Sequence, residues 1–259
     1  MQSYRDNEQI TDSNAAFELT IFTTIGGRAE QQDSFGYSLR AEEGLAVICD
    51  GMGGLSGGRL ASSTAVKSLL DAYARSGIAG RPGDFMMESL HEANRKIAAF
   101  PSPGGSTEVA ALIRQGRLWW TSVGDSRGYL LRGEEFIQFT LDQNYHTVLR
   151  EKKSAGLISG EEYRRESEKK DALVSYLGIP RLDLIDYSKT PLPLRKDDKV
   201  VLMSDGLYKV LSDAEIFRIL DNFSNITEAV RALEIKAENI AQKQRIHRDN
   251  MTVAVIRIK

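Results

Sequence analysis

From Phe17 the chain alternates apolar positions with polar or small ones, placing Phe17, Leu19, Ile21, Thr23 and Ile25 on one face. That two-residue period predicts a half-buried strand, which breaks at Gly26-Gly27. Residues 35–40 and 45–49 predict two more strands; the second is a continuous apolar run, too short for a helix, that ends in Asp50. The period then becomes helical. Ala61, Ala65, Leu69, Ala72 and Tyr73 share one face, and Met86, Leu90, Ala93 and Ile97 share another behind Asp84 as N-cap. Short β-like runs at 107–114, 117–123, 129–132 and 136–140, separated by Gln115-Gly116, Gly124-Asp125 and Gly133-Glu134, predict an antiparallel meander.

Residues 143–188 are charged and read as a flap-like surface excursion, with Ser159 and Glu162 forming a capping box that starts a polar helix to about 170. A buried strand follows at 199–203, and Ser212 with Glu215 repeats the capping box. Val230, Leu233, Ala237 and Ile240 then mark an amphipathic helix after Thr227, and 251–258 closes the chain as a strand. Antiparallel strands interspersed with paired helices predict an α+β layered domain. Residues 1–259 read as one domain, with 1–14 expected to be flexible or loosely packed.

Charge narrows the partners. The chain has 34 Lys and Arg against 36 Asp and Glu, a formal net charge of -2, so neither nucleic acid nor an anionic membrane is expected to be held by bulk charge. No apolar run of about 18 residues predicts membrane insertion, and residues 1–11 lack a signal-peptide core. Cys49, the single cysteine, excludes an internal disulfide or a cysteine-rich zinc site. A cytoplasmic monomer is the expectation.

The candidate chemistry lies in three aspartates at predicted strand ends: Asp50, Asp205 and Asp249. Antiparallel neighbours can bring such ends to one rim, and convergent carboxylates suit Mg²⁺ or Mn²⁺. At any one position an Asp-Gly turn is the commoner reason for the residue. The glycines between Asp50 and Gly58 allow the backbone to approach a ligand closely. They do not end in Gly-Lys-Ser/Thr, nor do they carry the G-x-G-x-x-G spacing, so a P-loop or Rossmann phosphate cradle is not expected.

Seven short motifs occur in one order: Arg28 with Asp33-Ser34, Asp50-Gly51-Met52-Gly53-Gly54, Gly105-Ser106-Thr107, Gly124-Asp125-Ser126-Arg127, Leu177-Gly178, Ser204-Asp205-Gly206-Leu207 and Asp249-Asn250-Met251-Thr252. In this the chain resembles the type 2C, or metal-dependent, Ser/Thr protein phosphatases, in particular compact bacterial members. The resemblance implies a four-layer α/β/β/α sandwich of two antiparallel sheets flanked by helix pairs, with two Mn²⁺ or Mg²⁺ ions between the sheets. It implies that Asp50 bridges both ions, that the Gly51 carbonyl binds one, that Asp205 and Asp249 hold the other, and that Asp125 binds a weaker third. Arg28 would bind the substrate phosphate, and Asp33 would support the ligands from behind. The implied reaction is hydrolysis of phosphoserine and phosphothreonine in proteins by direct attack of a water shared by the ions, opposing a bacterial Ser/Thr kinase.

Several positions depart from the family. Gln31-Gln32-Asp33 replaces the usual Asn-Glu-Asp, removing a glutamate that normally reaches the second metal through water, and Gln143-Asn144 replaces a usual Asp-His-Ser continuation. Met52 stands where many eukaryotic relatives have a histidine, leaving a metal-bound water, or less readily His146 or His247, to protonate the leaving group. Gln32 and the altered flap motivate a second reading, a catalytically weak or inactive relative that binds a phosphoprotein. A two-metal nuclease is a third, which the chain's lack of a basic surface signal disfavours. Trp119-Trp120 should face opposite sides of a strand and receives no function.

Overall fold

In the computed structural model, which describes residues 7–53, 57–76 and 80–259, the chain opens with an antiparallel hairpin of β1 (Asn7–Ser13) and β2 (Phe17–Thr24). Residues 7–13 are therefore not a loose terminus: they pair with β2 from Asn7↔Thr24 to Ser13↔Glu18. As an edge strand with no buried side chain, β1 needs little apolar sequence and escapes a hydrophobic-pattern reading. Residues 1–6 lie outside the described residues.

The order continues with β3 (Asp33–Leu39), β4 (Glu43–Met52), α1 (Gly57–Ser76), α2 (Pro82–Ala98), β5 (Gly105–Ser106), β6 (Glu108–Arg114), β7 (Arg117–Val123), β8 (Arg127–Arg132) and β9 (Glu135–Gln138). Then come α3 (Tyr145–Ser154), α4 (Gly160–Glu166) with a 3₁₀ turn over Ser167–Lys169, β10 (Asp186–Tyr187), β11 (Leu192–Pro193), β12 (Lys199–Met203), α5 (Asp205–Tyr208), α6 (Asp213–Asn222), α7 (Ile226–Gln244) and β13 (Met251–Ile258).

These strands form two antiparallel sheets. The first runs β1-β2-β13-β12-β8-β9; the second runs β10-β7-β6-β4-β3, with β11 on β7 and β5 on β4. Alternation along each strand sends side chains to two cores at once. Leu45, Val47 and Cys49 of β4 meet Ala61, Leu69 and Leu90 of α1 and α2, whereas Ala46 and Ile48 meet Leu19, Val200 and Ala254 of the first sheet. On the far side, Val201, Met203 and Val253 pack on Ile216, Val230 and Leu233 of α6 and α7. The result is the expected α/β/β/α sandwich. Trp119 and Trp120 split as expected, the first toward the helix-side core and the second toward the inter-sheet core.

The expected meander is split between sheets. The β6–β7 hairpin belongs to the second sheet and the β8–β9 hairpin to the first, and the chain crosses between them at 124–126, where Gly124 has φ +93°. That crossing carries Asp125 to the junction of the sheets. Asp84 is not an N-cap: α2 starts at Pro82 after Arg81, and Asp84 lies in the first turn, 2.8 Å from the Arg81 guanidinium. Proline at the first helical position explains the shift, because its missing N–H costs nothing there. Both capping boxes form, Ser159 with Glu162 and Ser212 with Glu215. Helix α3, absent from the sequence reading, starts at Asn144, whose side chain accepts from the Thr147 N–H; it buries only Leu149 and so shows little periodicity.

Candidate metal centre

The three strand-end aspartates come from both sheets. Asp50 lies near the end of β4, whereas Asp205 follows β12 by one residue and Asp249 precedes β13, the antiparallel neighbour of β12. Together with Asp125 and Asp171 they line one open cavity of about 550 Å³, shared with Arg28, Glu30, Gln32, Gly51, Met52 and Lys209.

Close backbone packing shapes its floor. A Cβ on Gly51 would stand 2.1 Å from the Gly58 carbonyl oxygen, and one on Gly206 would stand 2.0 Å from that of Asn250, so only glycine fits either place. Gly58 is constrained less severely: a Cβ there would stand 2.8 Å from the Gly51 carbonyl oxygen. The glycine run is not all loop: β4 runs through Met52 and α1 begins at Gly57.

Asp33 sits beneath, paired in register with Asp50 and fully buried. Its Oδ2 accepts from Ser204 Oγ at 2.7 Å and from Thr252 Oγ1 at 2.7 Å, while its Oδ1 is buried without a partner. Gln31 takes up the family's asparagine position: its side-chain carbonyl accepts from the Asp33 N–H at 3.0 Å, and its amide donates to Thr23 Oγ1 at 3.0 Å. Gln32 uses its amide as a donor to Glu30 Oε2 at 3.3 Å and to the Gly53 carbonyl at 3.2 Å. Gln143, another departure, is a buried strut whose side chain accepts from Gly124 N–H and donates to the Ser122 carbonyl, holding the crossing loop that carries Asp125.

Crowding and burial keep these carboxylates from ionising together. Burial raises Asp33 to about 7, against the opposing Thr252 and Ser204 hydroxyls and helped by Asp205 and Asp249. Desolvation, then the charges of Asp33, Asp205, Asp125 and Asp249, hold Asp50 well above the usual carboxylate range. Burial, then Asp205, raises Asp125 to about 6, with Lys209 pulling the other way. Two side-chain cations pair with carboxylates here: Arg28 Nη2 donates to Asp249 Oδ2 at 2.6 Å, and Lys209 Nζ to Asp205 Oδ2 at 2.5 Å.

These residues fit divalent cations by their chemistry. The donors are hard oxygens, Asp205 Oδ1 is buried without a partner like Asp33 Oδ1, and repulsion among the carboxylates is relieved by positive charge. Among the described residues, no three carboxylate, histidine or cysteine side chains close on a single point. Asp205 and Asp249 each have one oxygen drawn onto Lys209 or Arg28 instead.

The candidate proton donors fall elsewhere. His146 Nε2 lies 3.1 Å from Tyr163 Oη within the excursion, and His247 lies against Gly27; neither lines the cavity. Sequence reading missed Lys209, Glu30 and Asp171, which line it. For Lys209 a signal was present, its place four residues after Asp205 on the same helical turn.

An α/β/β/α sandwich whose inter-sheet cavity gathers five aspartates behind an arginine defines a metal-dependent phosphohydrolase. The chain belongs to the type 2C protein phosphatases: the family described as Protein phosphatase 2C matches residues 25–243. It is 30% identical over 249 residues to the protein phosphatase PhpP of Streptococcus pneumoniae, covering 92% of this chain and 96% of that one. The serine/threonine phosphatase of S. agalactiae superposes with a TM-score of 0.80 at 26% identity, covering 94% of this chain and 100% of that one. The catalytic domain of the serine threonine protein phosphatase PstP, in complex with 2 manganese ions, superposes with a TM-score of 0.74 at 27% identity, covering 94% and 98%. The chain is accordingly a metal-dependent serine/threonine protein phosphatase of the bacterial type. Among the described residues, no helix is long and apolar enough to cross a membrane.

Proposed function

We propose that this phosphatase hydrolyses phosphoserine and phosphothreonine in proteins by direct in-line attack of water, with no phosphorylated enzyme intermediate, and opposes a Ser/Thr kinase in the same cell. The observation that carries this reading is the meeting of Asp50, Asp205 and Asp249 from both sheets around one open cavity with Arg28 on its wall. In it, Asp50, the Gly51 carbonyl, Asp205 and Asp249 hold two Mn²⁺ or Mg²⁺ ions. When bound, such ions neutralise the phosphate and lower the pKa of water from about 15.7 toward neutrality.

The protein's own residues do the rest. Arg28 is exposed, and its fork, now on Asp249, can turn to a phosphate and donate two parallel hydrogen bonds. Asp33, clamped by Ser204 and Thr252, fixes the floor on which Asp50 sits. In this reading the leaving alkoxide takes its proton from water in the cavity, which no histidine lines among the described residues. Positioning and charge supply most of the rate. No feature of the site favours the non-catalytic reading.

The test is phosphate release from a phosphothreonine peptide as Mn²⁺ is titrated. Wild type should show saturable release that Asp205→Ala abolishes. Folded wild type that releases no phosphate at millimolar Mn²⁺ would overturn the reading.

A further inference from the structure

Lys209 stands one helical turn beyond Asp205 and donates from Nζ to Asp205 Oδ2 at 2.5 Å. It lines the cavity together with Asp125 from the sheet crossing and Asp171 from the excursion. Its charge acts on Asp125, and the charges of Asp205, Asp125 and Asp171 act on it. The adjacent Tyr208 donates from its hydroxyl to the Asp125 carbonyl at 3.0 Å, tying the two segments together. Arg127, a cation near this wall, is committed elsewhere: it forms an ion pair with Asp142 at 2.7 Å and lies 3.7 Å over the Tyr208 ring. One ammonium group thus contacts Asp205 and shares its cavity with carboxylates from two further segments.

We propose that Lys209 is a built-in cation at the Asp125–Asp205 wall, taking the place of a third divalent ion and limiting the chain to the two ions of its core site. The inference rests on the metal centre of the preceding subsection. A third divalent ion on Asp125 and Asp205 would meet a positive charge in contact with the same Asp205 oxygen, and like charges at such range disfavour binding strongly. Asp205 Oδ1, buried and without a partner, stays available to the core site. Asp125 then acts as a charge partner of Lys209 rather than as a metal ligand.

The test counts Mn²⁺ bound per chain by calorimetry and by the electron paramagnetic resonance of free Mn²⁺. Wild type should bind two ions, and Asp125→Asn should also bind two. Lys209→Met should gain a third, weaker site that is lost again when combined with Asp125→Asn, whereas Lys209→Arg should keep the wild-type count. An unchanged count in folded Lys209→Met, or loss of an ion in Asp125→Asn alone, would overturn the proposal; the Asp125→Asn arm decides if Lys209→Met does not fold. Wild type that binds no Mn²⁺ would instead remove the metal centre itself, and this inference with it.

Discussion

Thr252 Oγ1 donates to Asp33 Oδ2 at 2.7 Å, a bond that joins β13 of the first sheet to β3 of the second beneath the cavity. Ser204 Oγ, at the end of β12, makes a matching bond of 2.7 Å. Removing either hydroxyl leaves a buried carboxylate less satisfied. Thr252→Val should therefore lower stability by about 1–3 kcal/mol and weaken Mn²⁺ binding by about 10- to 100-fold. Denaturant unfolding and a Mn²⁺ titration check both; unchanged metal affinity would reduce the bond to a purely structural one.

Arg28 pairs with Asp249 while standing half-exposed on the cavity wall. If it exchanges that carboxylate for the substrate phosphate, Arg28→Ala should lower kcat/KM by about 10- to 100-fold, the weight of one or two charge-assisted hydrogen bonds. Arg28→Lys should recover only part, because a point charge cannot reproduce the planar fork. Steady-state kinetics on a phosphopeptide separates the two. Equal activity in Arg28→Ala and wild type would remove the arginine from phosphate binding.

Gln32 donates to both the Glu30 carboxylate and the Gly53 carbonyl. A glutamate at this position can donate to neither and adds a like charge beside Glu30. Gln32→Glu should thus lose about 1–2 kcal/mol of stability without metal, with part regained on adding Mn²⁺. Thermal melts with and without Mn²⁺ measure the difference, and a metal-free mutant as stable as wild type would contradict it.

Glu108 of β6 is fully buried outside the cavity, and burial raises it to about 8 against the opposing hydrogen bond of Thr121 on β7. Across on β4, Cys49 is raised well above its ordinary value, chiefly by burial and next by the Glu108 charge. The folded chain therefore keeps the Glu108 proton where the unfolded chain loses it. The stability this group contributes is full below about pH 4.5, falls as pH rises, and is gone above about pH 8. Glu108→Gln should flatten that slope and gain on the order of a few kcal/mol on wild type between pH 5 and pH 8. Parallel pH dependences of unfolding in the two proteins would refute this.

Much of the architecture is legible because burial writes itself into spacing. The apolar run before Asp50 is fully buried and the helical repeats from Ala61 and Val230 pack into the helix-side cores, and both Ser…Glu capping boxes are local chemistry that no tertiary contact needs to rescue. What escaped left little signature in apolar spacing. Strand β1 is held by backbone pairing rather than by apolar side chains, and α3 rests on one buried leucine. The hairpins of β6–β7 and β8–β9 look alike in sequence, and only the turn at Gly124 sends them to different sheets.

The site was legible in the same measure. Asp50, Asp125, Asp205, Asp249, Gly51 and Arg28 all reach one cavity, as the order of motifs implied, and Asp33 lies below it. Glu30 and Asp171 were unreadable, because nothing in their local sequence separates a cavity-lining carboxylate from a solvated one.

Anomalous diffraction at the manganese edge from Mn²⁺-soaked crystals would show whether Asp50, Asp205 and Asp249 hold the ions on which catalysis depends. Two peaks should stand in the inter-sheet cavity, with Asp50 beside both and Asp205 with Asp249 beside one. Absence of peaks there, or peaks bound by other residues, would take these aspartates out of metal binding.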